Sequence, residues 1–234
     1  MQRYFSKIKE NNYFKLNNED IYHIKKVMRM KDDDLIEIVY EGNLYICKVD
    51  LKKEVFYIHE MQNGIDNDRE ITLIVPLLKE QKMDLILQKS TELGADVIIP
   101  IITERSVVKL DKEKFAKKKE RWQKICKEAS EQSKRYNIPI VKDLMSIDTL
   151  YTLDGVKLVC STTEKQKNIK FFLQTHHNCA KIVLAIGPEG GFTKLEEDAF
   201  EKCGFSRISL GNRIMRVETV PMFLLSVLNY EYME

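Results

Sequence analysis

The sequence predicts an α/β protein built on a mostly parallel sheet and preceded by a small β-rich domain. Three observations predict it. From residue 70 onward, apolar runs of strand type alternate with amphipathic helical segments, the pattern of a parallel sheet covered by helices. Before residue 68 the apolar residues fall into brief runs rich in Ile, Val, Tyr and Phe, separated by turn residues. Between these regions lies Asn63-Gly64-Ile65-Asp66-Asn67-Asp68, a polar, turn-forming linker. The expected domains are therefore 1–68 and 69–234.

In the first domain a helix capped by Asn18 carries Ile21, Ile24, Val27 and Met28 at helical spacing. Strands follow at Leu35–Tyr40, Leu44–Val49 and Val55–Ile58. The second domain opens with a strand at Ile71–Val75. A helix over Lys82–Leu93 places Met83, Ile86, Leu87 and Leu93 on one face and stops at Gly94. A strand at Val97–Ile102 leads to a long helix, Lys112–Arg135, with an apolar stripe of Phe115, Trp122, Ile125, Cys126 and Ala129. Strands at Val156–Cys160 and Lys181–Ile186 come next. The helix Lys194–Cys203 opens with Thr193-x-x-Glu196, a capping box. A short strand at Ile208–Leu210 precedes a last helix over Thr219–Tyr230, with Pro221 tolerated in its first turn.

The composition is that of a globular chain of 234 residues, with too much apolar material for disorder. No apolar run approaches the roughly 20 residues of a membrane span, and the opening residues lack a secretory signal. Five cysteines, widely spaced and without a Cys-x-x-Cys pair, read as thiols in a reducing cytoplasm rather than a disulfide or zinc framework. The net charge of +2 argues at first against a nucleic-acid partner. The sum hides an asymmetry: Arg105–Arg135 carries 12 basic and 5 acidic residues, and Gly187 to the end carries 5 basic and 8 acidic. Such a segment can present a cationic face, or be only a solvated Lys-rich helix.

Three loops follow strands of the expected sheet, where ligands of such sheets bind. Ile186-Gly187-Pro188-Glu189-Gly190-Gly191-Phe192 removes two side chains between a buried strand and a capped helix, so backbone can approach a ligand. Leu210-Gly211-Asn212-Arg213-Ile214-Met215-Arg216-Val217-Glu218-Thr219 packs two arginines and a glutamate before the last helix. Ser161-Thr162-Thr163-Glu164 is the third. Gly-x-Gly-x-x-Gly, Walker A and nucleophile-elbow motifs are absent from the sequence, and the histidines at 23, 59, 176 and 177 form no ligand set.

Together the first two loops resemble those of the SPOUT superfamily of trefoil-knot methyltransferases, and within it the ribosomal RNA small subunit methyltransferase E family. Gln88-Lys89-Ser90-Thr91-Glu92-Leu93-Gly94, Glu128-Ala129-Ser130-Glu131-Gln132-Ser133-Lys134-Arg135 and His23-Ile24-Lys25-Lys26-Val27-Met28-Arg29-Met30 are similar to further segments of that family, in its order. Val217 and Val220 depart from the usual Thr and Ala, so no role of that hydroxyl carries over.

The resemblance implies a knotted carboxyl-terminal domain, an amino-terminal PUA-like β-barrel and a homodimer. It also implies transfer of a methyl group from S-adenosylmethionine to N3 of a uridine in 16S rRNA of the small ribosomal subunit, in the cytoplasm and without a metal. Expected cofactor contacts are Thr162, Ile186, Gly187, Glu189, Gly190, Gly191, Leu210, Gly211, Ile214 and Met215. Arg216 is the expected stabiliser of a uracil anion. Glu218 orients it, accepts the N3 proton, or caps the last helix. Glu189 and Arg213 stand open between binding and structural roles. Phosphate contacts are expected from Arg3, Lys25, Lys26 and Arg29, and from Lys118, Lys119, Arg121 and Arg135. The competing readings are another SPOUT enzyme, acting on a ribose 2′-oxygen or a tRNA base, and a non-catalytic RNA-binding module of the same fold.

Overall fold

The computed structural model describes residues 1–62, 64, 69–106, 108, 111–176 and 179–232, without the side chain of Lys112. The linker around Gly64, the expected boundary at 68, Lys109 and His177 lie outside the described residues. The chain forms two compact units, Met1–Asp66 with Ser130–Ile138, and Asn67–Ala129 with Pro139–Glu234.

The first unit is a curled sheet with one short helix. Its strands are β1 (Arg3–Phe5), β2 (Ile8–Glu10), β3 (Tyr13–Lys15), β4 (Leu35–Tyr40), β5 (Asn43–Asp50) and β6 (Val55–Gln62), in the order β1-β4-β5-β6-β3-β2. β1 pairs parallel with β4, and the remaining pairs are antiparallel. Alternation puts Phe14, Ile36, Ile38, Cys47 and Phe56 into one core with Tyr4 and Ile24. The helix α1 (Asn18–Tyr22) is capped by Asn17, not Asn18: the Asn17 side chain accepts from the Asp20 amide at 2.9 Å. It continues as a π-helical turn over His23–Val27, which buries Ile24.

The second unit is a parallel sheet. Its strands are β7 (Glu70–Pro76), β8 (Val97–Ile101), β9 (Ile140–Val141), β10 (Val156–Cys160), β11 (Lys181–Ala185) and β12 (Ser206–Ile208), in the order β12-β10-β11-β7-β8-β9. Every pairing is parallel. The central strands β7 and β11 are buried along nearly their whole length, as unbroken apolar runs require when both faces are covered. The expected strand at 208–210 forms two residues earlier, which releases Ser209 and Leu210 into the following loop.

The helices of this unit are α2 (Glu80–Glu92), α3 (Lys112–Gln132), α4 (Ile169–Thr175), α5 (Lys194–Lys202) and α6 (Thr219–Glu231). α3 is three residues shorter than expected, because Lys134 adopts a left-handed φ of +62°. Its stripe is seated: Phe115, Trp122, Cys126 and Ala129 are buried. α6 packs on α2, and the Asn229 side chain donates to the Leu93 carbonyl at 3.0 Å, satisfying a helix-end acceptor. The chain leaving β12 is held at both ends of the loop that follows β10. Ser161 N donates to Ile208 O at 2.9 Å, and Ser209 N donates to Lys167 O at 2.7 Å. Among the described residues, no helix is long and apolar enough to cross a membrane.

Candidate cofactor site

The parallel arrangement brings the carboxyl ends of β7, β10, β11 and β12 to one edge of the sheet, so their loops converge there. They enclose a cavity of about 490 Å³, within the size range of small-molecule sites. Leu210, Gly211, Ile214 and Met215 line it, with Gly187, Glu189 and Gly191 from the loop after β11 and Thr162 from the loop after β10. Arg216 also lines it. The geometry therefore brings together nine of the residues singled out from the sequence.

Three do not line it. Ile186 is fully buried beneath the loop, its amide bonded to Ile74 O at 3.1 Å. Gly190 turns away, and its carbonyl accepts from Arg105 Nη1 at 2.5 Å. Glu218 stands behind Arg216 at the head of α6. Its side chain makes no capping bond, which removes the capping role considered for it. The first turn of α6 bonds instead to the Arg216 carbonyl, from Thr219 N at 2.9 Å and Val220 N at 3.2 Å.

The sequence explains the cradle. A turn from Gly191 N to Pro188 O at 2.8 Å reverses the chain, and Gly191 sits at φ +68°. A Cβ on Gly187 would come within 3.2 Å of Phe192 N, so a side chain there would push the turn open by a few tenths of an ångström. Gly211 has φ +107°. The capping box fixes the start of α5: the Thr193 side chain accepts from Glu196 N at 3.3 Å, and Glu196 returns to Thr193 N at 2.8 Å. Glu164 accepts from the amides of Gln166 and Lys167 at 2.6 and 3.0 Å, which folds the loop after β10 and holds its carboxyl below the usual range. Val217 is a buried wall of the cavity, where a methyl replaces the family's hydroxyl without leaving an unpaired polar atom.

Several lining residues were not anticipated. Lys82, in the first turn of α2, extends its Nζ to Glu189 Oε1 at 2.8 Å. That hydrogen bond holds the Glu189 carboxyl below its ordinary range and raises the lysine. The position of Lys82 just after a parallel strand was the available signal. Glu197 is a buried acid that meets Arg207 at 3.1 Å and the Thr163 hydroxyl at 3.2 Å. Nothing in the sequence marks it off from the solvated acids of α5. Burial raises the thiol of Cys160, another lining residue, to about 12, so it remains protonated at neutral pH.

The expected phosphate contacts separate into groups. Arg3 is not available: it is 4% exposed, donates to Glu37 at 2.8 Å and to the carbonyls of Lys134 and Arg135, and lies over the Tyr136 ring. Lys25 pairs with Glu54 at 2.5 Å. Lys118 meets Glu80 at 3.5 Å, Lys119 meets Asp143 at 2.6 Å, and Arg121 reaches Glu80 at 2.8 Å and also Asp84. Arg135 bonds to the Asn137 side chain at 3.1 Å. Lys26 and Arg29 are exposed.

A parallel sheet with a glycine-lined cavity at its strand ends, in a chain that also carries a curled β unit, belongs with the RNA methyltransferases by its family matches. Residues 66–229 match the RNA methyltransferase domain family, and residues 16–56 match the RNA methyltransferase PUA domain. The chain is 36% identical to ribosomal RNA small subunit methyltransferase E of Bacillus subtilis, over 99% of its own length and 97% of that protein. It belongs to the ribosomal RNA small subunit methyltransferase E family. Among solved structures it is similar to that methyltransferase from Neisseria gonorrhoeae, bound to S-adenosylmethionine, with a TM-score of 0.84, 29% identity and coverage of 98% and 97% of the two chains. A methyltransferase from Legionella pneumophila in complex with the same cofactor gives a TM-score of 0.87 and 29% identity, covering 97% of this chain and 96% of that one.

Proposed function

We propose that this protein is an S-adenosylmethionine-dependent methyltransferase of 16S rRNA in the small ribosomal subunit, and that it methylates N3 of a uridine. The observation that carries this reading is the cavity itself. Leu210, Ile214 and Met215 offer apolar walls for an adenine, while Gly187, Gly191 and Gly211 leave backbone bare beside a compactly folded ligand. S-adenosylmethionine bound there supplies a methyl group on a sulfonium, the leaving group being the neutral thioether.

Uridine N3 carries a proton between two carbonyls, so it becomes nucleophilic only as that proton departs. Arg216 is exposed at the cavity wall, and among the described residues no side-chain bond occupies it. Its guanidinium is free to stabilise charge developing on a uracil carbonyl oxygen. Glu218, two residues further along the chain, is the acceptor for the N3 proton. In the first unit, Lys26 and Arg29 are exposed cations suited to phosphate, and that unit serves as the RNA-facing domain ahead of the methyltransferase domain. The enzyme works as a homodimer in the cytoplasm, where its RNA substrate is assembled.

Titration calorimetry with S-adenosylmethionine, followed by labelled methyl transfer to small subunits, tests this reading. Wild-type protein binds the cofactor and labels the RNA. Arg216→Ala keeps cofactor affinity and lowers kcat by about 100-fold, the size of a lost anion-stabilising donor. Unchanged turnover would remove Arg216 from catalysis.

A further inference from the structure

The cavity needs two loops to keep their spacing. One leaves β11 and carries Glu189. The other leaves β12 and carries Glu218 into α6. They belong to different strands, and a separate element joins them: Lys82, in the first turn of α2. Its Nζ lies 2.8 Å from Glu189 Oε1 and 3.7 Å from Glu218 Oε2. The first contact is a charge-assisted hydrogen bond, and the second is an ion pair without one. Glu218 Oε2 is closed to solvent and has no hydrogen-bond partner among the described residues. A carboxylate oxygen in that condition is costly unless a cation stands beside it. Lys82 is placed to do this, because α2 is itself fixed by buried Met83, Ile86 and Leu87.

We infer that Lys82 is a positioning residue of the cofactor site, a single ammonium that bridges Glu189 and Glu218 and so sets the separation of the two loops. The inference rests on the cavity being the S-adenosylmethionine site. Electrostatics supplies a sharp discriminator. The cofactor carries a net positive charge, so removing a nearby cation should strengthen its binding if only through-space attraction mattered. If Lys82 instead holds the loops apart at the right distance, removing it weakens binding. The two roles predict opposite signs.

The experiment is calorimetry with S-adenosylmethionine and steady-state kinetics on Lys82→Met, Lys82→Arg, Glu189→Gln and the Lys82→Met/Glu189→Gln double variant, each checked for folding by thermal melting. Lys82→Met is expected to raise the cofactor Kd at least tenfold and lower kcat, with the KM for RNA unchanged. Lys82→Arg, which keeps the charge and the reach, restores most of the affinity. Glu189→Gln weakens binding, and the double variant is no weaker than Lys82→Met, because both changes break one bridge. Wild-type-like or tighter binding by Lys82→Met, or strictly additive effects, would overturn the bridge. Should Lys82→Met fail to fold, Glu189→Gln decides: wild-type affinity there overturns it as well. Failure of the wild type to bind S-adenosylmethionine would instead overturn the functional reading, and the bridge with it.

Discussion

Arg3 illustrates how a residue's surroundings override its type. Charge and position in the sequence suggest a phosphate ligand, but its guanidinium is buried and ties the first strand to Glu37 and to the turn at Lys134 and Arg135. Arg3→Ala should therefore cost about 3 kcal/mol in unfolding free energy, the scale of one broken buried pair. Glu37 adds a pH signature. Burial alone would raise its carboxyl, but hydrogen bonds from Lys134 and Arg3 overcome that and hold it below the ordinary range. The unfolded chain then binds the proton more readily, so the stabilisation is full above the ordinary carboxylate range and is lost as pH falls through the folded value. Acid melts should show this arm in the wild type and a flatter one in Glu37→Gln. An unchanged arm in the variant would remove Glu37 as its source.

Glycines divide in the same way. Gly190-Gly191 reads as one unit in the sequence. In the fold, Gly191 carries the left-handed φ and lines the cavity, while Gly190 abuts Arg105. Gly191→Ala should cost about 1 kcal/mol from backbone strain alone and weaken S-adenosylmethionine binding. Gly190→Ala meets only the flexible Arg105 side chain, at 3.1 Å, and should be milder in both respects. Equal effects of the two substitutions on calorimetry would contradict this division.

Elements were legible where their pattern was long. The central strands and the amphipathic helices α2, α3 and α5 follow from apolar spacing, and the capping box at Thr193 is present as expected. Thr193→Ala should lower stability by about 1 kcal/mol, read by thermal or urea melting. Strands β1, β2 and β3 span three residues each, too few for a period of two to declare itself. β9 and α4 were missed for the same reason, at two and seven residues. The loops of the site were legible as motifs because glycine and charge are informative outside regular structure. Lys82 and Glu197 were not, since each sits in a helix among other charged residues, none of them buried. Only the fold brings them to the cavity.

Across the whole molecule, the distribution of charge matters more than its sum. The basic stretch before Arg135 looks like an RNA-binding face in the sequence, but Glu80, Asp84 and Asp143 stand against Lys118, Lys119 and Arg121. Much of its charge is therefore already answered within the second unit. Lys26 and Arg29, exposed on the first unit, should each carry more of the salt dependence of RNA binding. Neutralising either is expected to reduce the slope of log K against log salt by about 1, and neutralising Lys118 by less. A larger loss from Lys118 than from Lys26 would return the long helix to the RNA interface.

Fold, cavity and family converge on methyl transfer to the RNA of the small ribosomal subunit, and the uracil chemistry assigned to Arg216 and Glu218 depends on which atom receives the methyl group. The most direct measurement is to incubate small subunits with the protein and labelled S-adenosylmethionine, digest the RNA and identify the labelled nucleoside by mass spectrometry. The expected product is 3-methyluridine, formed about 100-fold more slowly by Arg216→Ala. A ribose-methylated nucleoside, or label in another base, would contradict it.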